Sequence, residues 1–400
     1  MRFGMVTTFY PPFSYGGDAT YVRSLARSLV ASGHEVEVIA STDAYLLRSK
    51  LECPAEPALD DGVVVHRLQH PAGTLAALTS HQTGRAGFYS GALRAFFDRS
   101  FDVLHFHNIS LMGAPQVLGM GQAPARLLTL HDHWLICPTH VLWKNRHHAC
   151  DRRTCFTCSV RSGVPPQLWR YTGVRTRALD GVDRILAPSV YTAEMHKANG
   201  IHQPIDVLPL FSAIDGPDGP RRVQANRIVY VGRLAALKGI AELVRVVGDM
   251  PEIELLIMGD GDLEGAVRDA SASRDNIRLL GRVEQQELAH HYASAAAVIV
   301  PSLVPETFGL SLIEAAACGT PAIVARSAGG AAELVTSSAG GLLYDGPQEL
   351  AAAIRRLVSD PQLRERLGAQ ARAAYRASYT KKQHIAAYLG IVDDVLDARL

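Results

Sequence analysis

Short apolar strand patterns alternate with helical ones along this chain, and the alternation runs out once and then starts again. That restart constrains the fold more than any single motif, because a repeating strand, helix, strand rhythm makes parallel sheets covered by helices. In the front half it predicts strands at Met1–Thr8, Glu35–Ser41, Val63–Leu68, Val103–His107, Arg126–Leu130 and Arg184–Ala187, with helices over Asp18–Ser32 and Gly84–Phe97. Ser212–Asn226 is then rich in turn formers and has no apolar period, so it reads as a linker. Strands resume at Arg227–Val231, Glu254–Met258, Ile277–Leu280, Val298–Val300, Pro321–Ala325 and Gly341–Tyr344, with helices between them. Helical patterns over Pro347–Ser359, Pro361–Ser378 and from Lys381 onward close the chain. At 400 residues the chain exceeds one hydrophobic core. Two α/β domains, 1–212 and 213–380, are the expected division.

Charge narrows the partners. The net charge is +1, which argues against general nucleic-acid affinity. Residues 1–200 hold 20 Lys and Arg against 15 Asp and Glu, and residues 201–400 hold 20 against 24. The chain enters a strand at once, with no signal-like segment and no apolar run long enough to span a bilayer. The expectation is a cytoplasmic protein, either free or peripheral to the inner face of the membrane.

The chemistry concentrates at strand ends of the second half. Residues 298–333 read as a strand, a turn-rich loop and a helix closed by Gly319 and Pro321, with Glu306 in the loop and Glu314 early in the helix. In a parallel sheet that crevice binds ligands, and a helix N-terminus there offers N–H groups and a positive dipole to a phosphate. Three other loops fall at such ends: Gly232-Arg233-Leu234 with Lys238-Gly239, Gly259-Asp260-Gly261, and Gly329-Gly330 to Glu333. An arginine can fork onto two oxygens of a diphosphate while a lysine acts as a point charge. Each loop alone is an ordinary turn; the four in this order are not.

This motif set resembles the nucleotide-sugar domain of retaining GT-B glycosyltransferases of the Glu-x7-Glu type, similar to glycosyltransferase family 4, and the likeness covers essentially the full chain. In the front half Gly16-Gly17 resembles the family's glycine loop facing the donor phosphate, and His131 its histidine beside the sugar. The resemblance implies two Rossmann-like domains facing a central cleft, the N-terminal one binding acceptor, with helix 381–400 packing back on it. It implies that Arg233 and Lys238 hold the donor diphosphate, Glu314 the ribose hydroxyls and Glu306 a hydroxyl of the donor sugar. Backbone N–H groups of Thr307, Phe308, Gly309 and Leu310 would bind the sugar or phosphates. Gly259, Asp260, Gly261, Arg282 and Val283 would line the base pocket. The activity implied is retaining transfer of a hexose-type sugar from a nucleoside diphosphate, UDP ahead of GDP, to a saccharide, glycolipid, lipid-linked or natural-product acceptor. Asp260-Gly261-Asp262 also spells the Asp-x-Asp metal motif of the other large glycosyltransferase fold; inside a complete GT-B set it implies no catalytic metal. A nucleotide-sugar epimerase or hydrolase of the same fold, or a non-catalytic sugar-nucleotide-binding subunit, are the competing readings.

Cys137, Cys150, Cys155 and Cys158 stand outside that core pattern, just beyond His131-Asp132-His133-Trp134. Four thiols ending in Cys-x-x-Cys suit a structural tetrahedral Zn²⁺, with His140, His147 and His148 as spare ligands. Unligated thiols, two disulfides or an iron–sulfur cluster are the alternatives. Residues 143–184 carry nine Lys and Arg against three Asp, with Trp143, Trp169 and Tyr171 interleaved. Such a stretch is either a solvated helix face or a surface for anionic lipid or a phosphate-bearing acceptor. His105, His107 and Asn108 close another front-half strand and either touch acceptor or are satisfied strand-end groups.

Overall fold

The computed structural model describes every residue except Tyr15, 49–59, Asp218, Pro220 and Leu400. It divides into two compact units, one of Met1–His140, Arg152–Leu208 and Ile385–Leu400, the other of Val141–Asp151 and Pro209–His384. Strands in chain order are β1 (Arg2–Thr7), β2 (Glu35–Ser41), β3 (Val64–Leu68), β4 (Val103–Phe106), β5 (Ala125–Thr129), β6 (Trp143–Lys144), β7 (His148–Ala149), β8 (Arg184–Ala187) and β9 (Ile205–Val207). They continue as β10 (Gln224–Val231), β11 (Glu254–Met258), β12 (Ile277–Gly281), β13 (Ala295–Val300), β14 (Ala322–Ala325) and β15 (Gly341–Tyr344). The helices of the first unit are α1 (Gly16–Ala31), α2 (Thr42–Arg48), α3 (Thr74–Thr83), α4 (Ser90–Phe97), α5 (Cys155–Arg161), α6 (Val174–Leu179) and α7 (Val190–Ala198). Those that follow are α8 (Ile240–Gly248), α9 (Glu264–Ser273), α10 (Gln285–Ser294), α11 (Leu310–Ala317), α12 (Gly330–Ser338), α13 (Gly346–Ser359), α14 (Pro361–Ser378) and α15 (Lys381–Asp397).

The first unit is a parallel sheet of order β3-β2-β1-β4-β5-β8-β9. Helices on both faces bury its central strands, which is why β4 and β5 are buried at every position and do not alternate. The second is a parallel sheet of order β12-β11-β10-β13-β14-β15. Ile228, Leu243, Val247, Leu255, Ile257, Ile299 and Ile323 form the centre of its core. In each sheet the strand order reverses once, around β1 and around β10. Loops at the carboxyl ends there form the crevice that the doubly wound architecture reserves for ligands. The expected α/β class, with two parallel sheets flanked by helices, is what the chain adopts.

Local differences have local causes. The single helix read over Gly84–Phe97 is instead a 3-10 turn at Gly87–Tyr89 followed by α4, and a further helix, α3, precedes it. Gly84 ends α3 in the left-handed region with φ +69°, and the Trp169 ring occupies the space where a Cβ would stand, 2.9 Å away. The short strand β9 was not read at all. The turn-rich stretch read as a linker is fastened down at Ser212, Ile214, Gly216 and Arg221. Ser212 and Ile214 are buried, and a Cβ on Gly216 would lie 1.9 Å from the Ala317 carbonyl oxygen. Arg221 donates to the carbonyls of Ala293 (3.1 Å) and Gly319 (2.7 Å) and also to that of Ala295. Its lack of apolar period reflects carbonyl-pinning contacts, not freedom.

Candidate active site

In the second unit the strand-end loops are stitched to one another by their backbones. Gly232 N–H donates to Met258 O (3.0 Å), Leu234 N–H to Asp260 O (2.7 Å), and Gly259 N–H to Gly281 O (2.7 Å). Glycine is required where these loops touch. Gly259 has φ +141°, and a Cβ there would lie 2.0 Å from Gly232 O; Gly239 has φ +70°, and a Cβ there would lie 1.9 Å from Pro301 O. The loops after β10, β11, β12 and β13 therefore converge within backbone contact. Asp260 and Arg282 face each other across this group at 3.3 Å, both well exposed, with Val283 partly exposed beside them.

Glu306 is the centre of the constellation. Its backbone forms an isolated parallel bridge with Gly329, with Glu306 N–H donating to Ala328 O (3.0 Å) and Gly330 N–H to Glu306 O (2.9 Å). This fixes the loop after β13 against the loop after β14. The Lys238 ammonium donates to both carboxylate oxygens of Glu306 at 2.6 Å, and the Ser302 hydroxyl donates to Oε1. Two of the three ammonium hydrogens are thus committed and one remains. Arg233 is exposed, and among the described residues its guanidinium enters no ion pair; its carbonyl accepts from the Tyr230 hydroxyl (2.8 Å). Thr307 and Gly309 lead into α11, whose N-cap Gly309 supplies no side chain. Leu312 N–H donates to Gly309 O at 2.9 Å, so the Leu310 and Ser311 N–H groups are the ones the first turn offers to an anion. Phe308 is buried with its ring 6.1 Å from that of Tyr379, so only its backbone can serve a ligand.

Glu314 sits one turn into α11, partly exposed, and accepts from the Tyr292 hydroxyl at 2.9 Å. Burial pushes its carboxyl up to about 7, against the pull of the Tyr292 hydrogen bond. Burial also pushes the Tyr292 hydroxyl far up, with the neighbouring Glu314 charge adding to it, so Tyr292 stays a donor. A carboxylate with so raised a value, one turn into α11, can accept from a pair of polyol hydroxyls.

In the first unit Gly16 and Gly17 open α1, and Asp18 follows, with its Oδ1 accepting the Ala19 N–H (2.9 Å) and its Oδ2 the Asn108 amide (3.2 Å). Burial pushes the Asp18 carboxyl up to about 6. His131 lies just past β5 and shares a hydrogen bond between its Nε2 and His107 Nδ1 at 3.1 Å. Beneath it, His105 bonds the Thr129 hydroxyl (2.8 Å) and the Tyr388 hydroxyl (3.0 Å) of α15. Burial drives His131 down to about 4, against the Asp132 charge, and drives His107 well below its ordinary value. Both imidazoles are neutral at physiological pH. Burial pushes the Asp132 carboxyl up, but His140 at 3.0 Å and the Trp134 N–H outweigh it and hold the group below its ordinary value.

The cysteine stretch is less organised. Cys137 is buried with its Sγ 3.3 Å from Thr139 Oγ1, Cys155 and Cys158 lie on α5, and Cys150 is exposed. Burial raises the Cys155 thiol, and Cys137 and Cys158 raise it further, so those three sulfurs are electrostatic neighbours. Among the described residues no three His, Cys, Asp or Glu side chains are arranged to hold a metal ion.

Several polar groups here carried no sequence signal. Tyr230 and Tyr292 belong to runs that read as strand and helix and Ser302 to the loop after Val298–Val300, and nothing in their spacing marks them as partners of Arg233, Glu314 and Glu306. Asp18 reads as an ordinary first-turn acid; only its link to Asn108, ninety positions on, places it at the strand ends.

Residues 217–374 match the family described as glycosyl transferases group 1, and residues 15–211 match glycosyltransferase family 4. The chain is 29% identical to the D-inositol 3-phosphate glycosyltransferase of Xylanimonas cellulosilytica, covering 90% of this chain and 88% of that one. Among solved structures it resembles the sucrose-phosphate synthase of Thermosynechococcus elongatus, with TM-score 0.75, 21% identity and 99% of both chains covered. It also resembles Anabaena Alr3699/HepE in complex with UDP-glucose, with TM-score 0.67, 17% identity and all of both chains covered.

Proposed function

Because this chain belongs to the GT-B glycosyltransferases, with a family 4 front half and a group 1 back half, we propose that it performs retaining, metal-independent transfer of a hexose-type sugar from a nucleoside diphosphate to a hydroxyl-bearing acceptor. The observation that carries the reading is the Lys238, Glu306 and Ser302 cluster at the strand ends beside the α11 N-terminus. Lys238 keeps one ammonium hydrogen for a phosphate oxygen while Glu306 holds the ammonium in place. Glu306 Oε2 keeps a lone pair for a sugar hydroxyl, because Ser302 occupies Oε1. Arg233 adds a second, delocalised charge on the diphosphate. Together they stabilise the departing nucleoside diphosphate, and this charge development is where such a site gains most. Glu314 takes the ribose hydroxyls.

UDP is the favoured base, supported by the UDP-glucose complex of the Anabaena relative, with GDP the alternative. The acceptor falls to the first unit, where His131 is a neutral hydrogen-bonding group and not a general base. The donor phosphate itself accepts the acceptor's proton in a same-face displacement. The acceptor is a saccharide, a glycolipid or a natural product; the named inositol phosphate and sucrose phosphate relatives set no narrower class for this chain. For the four-cysteine stretch we propose structural Zn²⁺, with Cys137, Cys155 and Cys158 drawing together on binding.

Nucleotide release from UDP-glucose, measured with and without a panel of acceptors, tests the reaction. Release that depends on acceptor, and is lost in Lys238→Ala with the thermal transition unchanged, is the expected result. Equal release without acceptor would make the chain a hydrolase, and a fully active Lys238→Ala would remove the donor assignment.

A further inference from the structure

The strand-end histidines of the first unit include one that neither substrate contact nor packing accounts for. His107 follows β4 at the carboxyl end of the sheet, with its backbone N–H on Val6 O at 2.9 Å and its side chain fully buried. It therefore touches no sugar acceptor. Nor is it a satisfied strand-end group. Its Nδ1 meets His131 Nε2 at 3.1 Å, while its Nε2 has no hydrogen-bond partner among the described residues. A buried polar atom left without a partner costs about 1–3 kcal/mol. An apolar side chain of like volume would fill the same space without that cost, so the imidazole is explained by the bond that its Nδ1 makes.

That bond holds a single proton. Burial keeps both rings neutral, with His131 at about 4 and His107 well below its ordinary value. Each ring then carries a hydrogen on one nitrogen and a lone pair on the other. If His131 Nε2 donated, His107 would hold its own hydrogen on Nε2, a buried N–H with nothing to receive it, which folded chains rarely tolerate. If His107 Nδ1 donates, only a lone pair is left bare at Nε2, and His131 Nε2 accepts. Neighbouring rings keep the pair in place. The His105 ring lies 3.9 Å from that of His107, and His105 is itself tied to Thr129 and to Tyr388 of α15. The Tyr21 ring of α1 lies 5.4 Å from that of His131. We propose that His107 is a positioning residue: it donates from Nδ1 to His131 Nε2 and so holds His131 in the tautomer that carries its hydrogen on Nδ1.

His131 is partly exposed, unlike His107, so it is the member of the pair within reach of a substrate. With Nε2 occupied, its chemistry is that of an Nδ1–H donor. It suits a substrate oxygen with a lone pair to give, such as a hydroxyl or ring oxygen of a saccharide. A neutral ring whose one lone pair is already bonded does not serve as a general base. This consequence rests on the transfer reading; the tautomer itself does not.

Long-range proton–nitrogen NMR of the full chain, ligand-free and labelled at the histidine ring nitrogens, reads the tautomer directly. His131, assigned by its loss in His131→Gln, should show a protonated Nδ1 and a bare Nε2. His107→Leu should let His131 exchange between tautomers, whereas His107→Asn, whose amide N–H stands near the place of Nδ1, should keep the parent's state. In acceptor-dependent UDP release from UDP-glucose, His107→Leu should lower kcat/KM for the sugar acceptor about tenfold, the worth of one neutral hydrogen bond. UDP affinity should not change, and His107→Asn should recover most of the loss. A hydrogen on Nε2 of His131 in the parent, an unchanged tautomer in folded His107→Leu, or equal losses in the two variants would overturn the proposal. Should either buried variant fail to fold, the parent spectrum alone decides between the tautomers. No acceptor-dependent release by the parent would remove the transfer reading and leave the tautomer result standing.

Discussion

Replacing Glu314 by Gln separates what burial does to this carboxyl from what a nucleotide asks of it. Burial raises the group from 4.5 to about 7 in the folded chain. A raised acid binds more protons folded than unfolded, so its contribution to stability is present below about 4.5 and is lost as pH rises through about 7. Each pH unit between those values is worth about 1.4 kcal/mol, which puts the cost of the ionised carboxyl at up to about 3 kcal/mol at pH 8. A Gln amide oxygen can still accept the Tyr292 hydroxyl that lies 2.9 Å from the carboxyl, without the charge. Glu314→Gln should therefore melt about 5–10 °C above the parent at pH 8, at about 2–4 °C per kcal/mol, and level with it at pH 4.5. Ligand binding runs the other way. Ribose hydroxyls donate to the ionised form, so UDP affinity in the parent should fall as pH drops below about 7, toward tenfold per unit. Titration calorimetry of both proteins from pH 5.5 to 8.5 reads this. Because UDP's own titration is common to both, the difference between the two profiles belongs to Glu314. A variant less stable than the parent at pH 8, or parallel UDP profiles, would refute the argument.

Two further outcomes follow from geometry. Gly259→Ala places a methyl 2.0 Å from Gly232 O at φ +141° and should cost at least about 2 kcal/mol, with loss of UDP stabilisation in a thermal shift assay; a variant with parent-like melting and binding would show that the loops can part. Elemental analysis should find about one zinc per chain, removed by a chelator with a lower thermal transition, while a metal-free chain of unchanged stability would dismiss the zinc.

The convergence of the strand-end loops in the second unit was legible because it is written in backbone. Gly239, Gly259 and Gly261 stand where neighbouring loops leave no room for a Cβ, and such positions leave glycine in the sequence whatever surrounds them. Lys238 and Glu306 stood out because charged residues in a glycine-rich strand-end loop have few structural reasons to be there. The sheets were legible for a similar reason, since runs such as Leu255–Met258 and Ala295–Ile299 are apolar at every position and fit only a strand covered on both faces. Ser302 and Tyr292 were not legible, because a hydroxyl that bonds a distant carboxylate has the composition of any other hydroxyl. Helix α3 was missed because its run Thr-Leu-Ala-Ala-Leu-Thr-Ser-His-Gln-Thr leaves Leu75 and Leu78 outside and buries Ala76 and Ala77, the reverse of the pattern by which a packed helix is recognised.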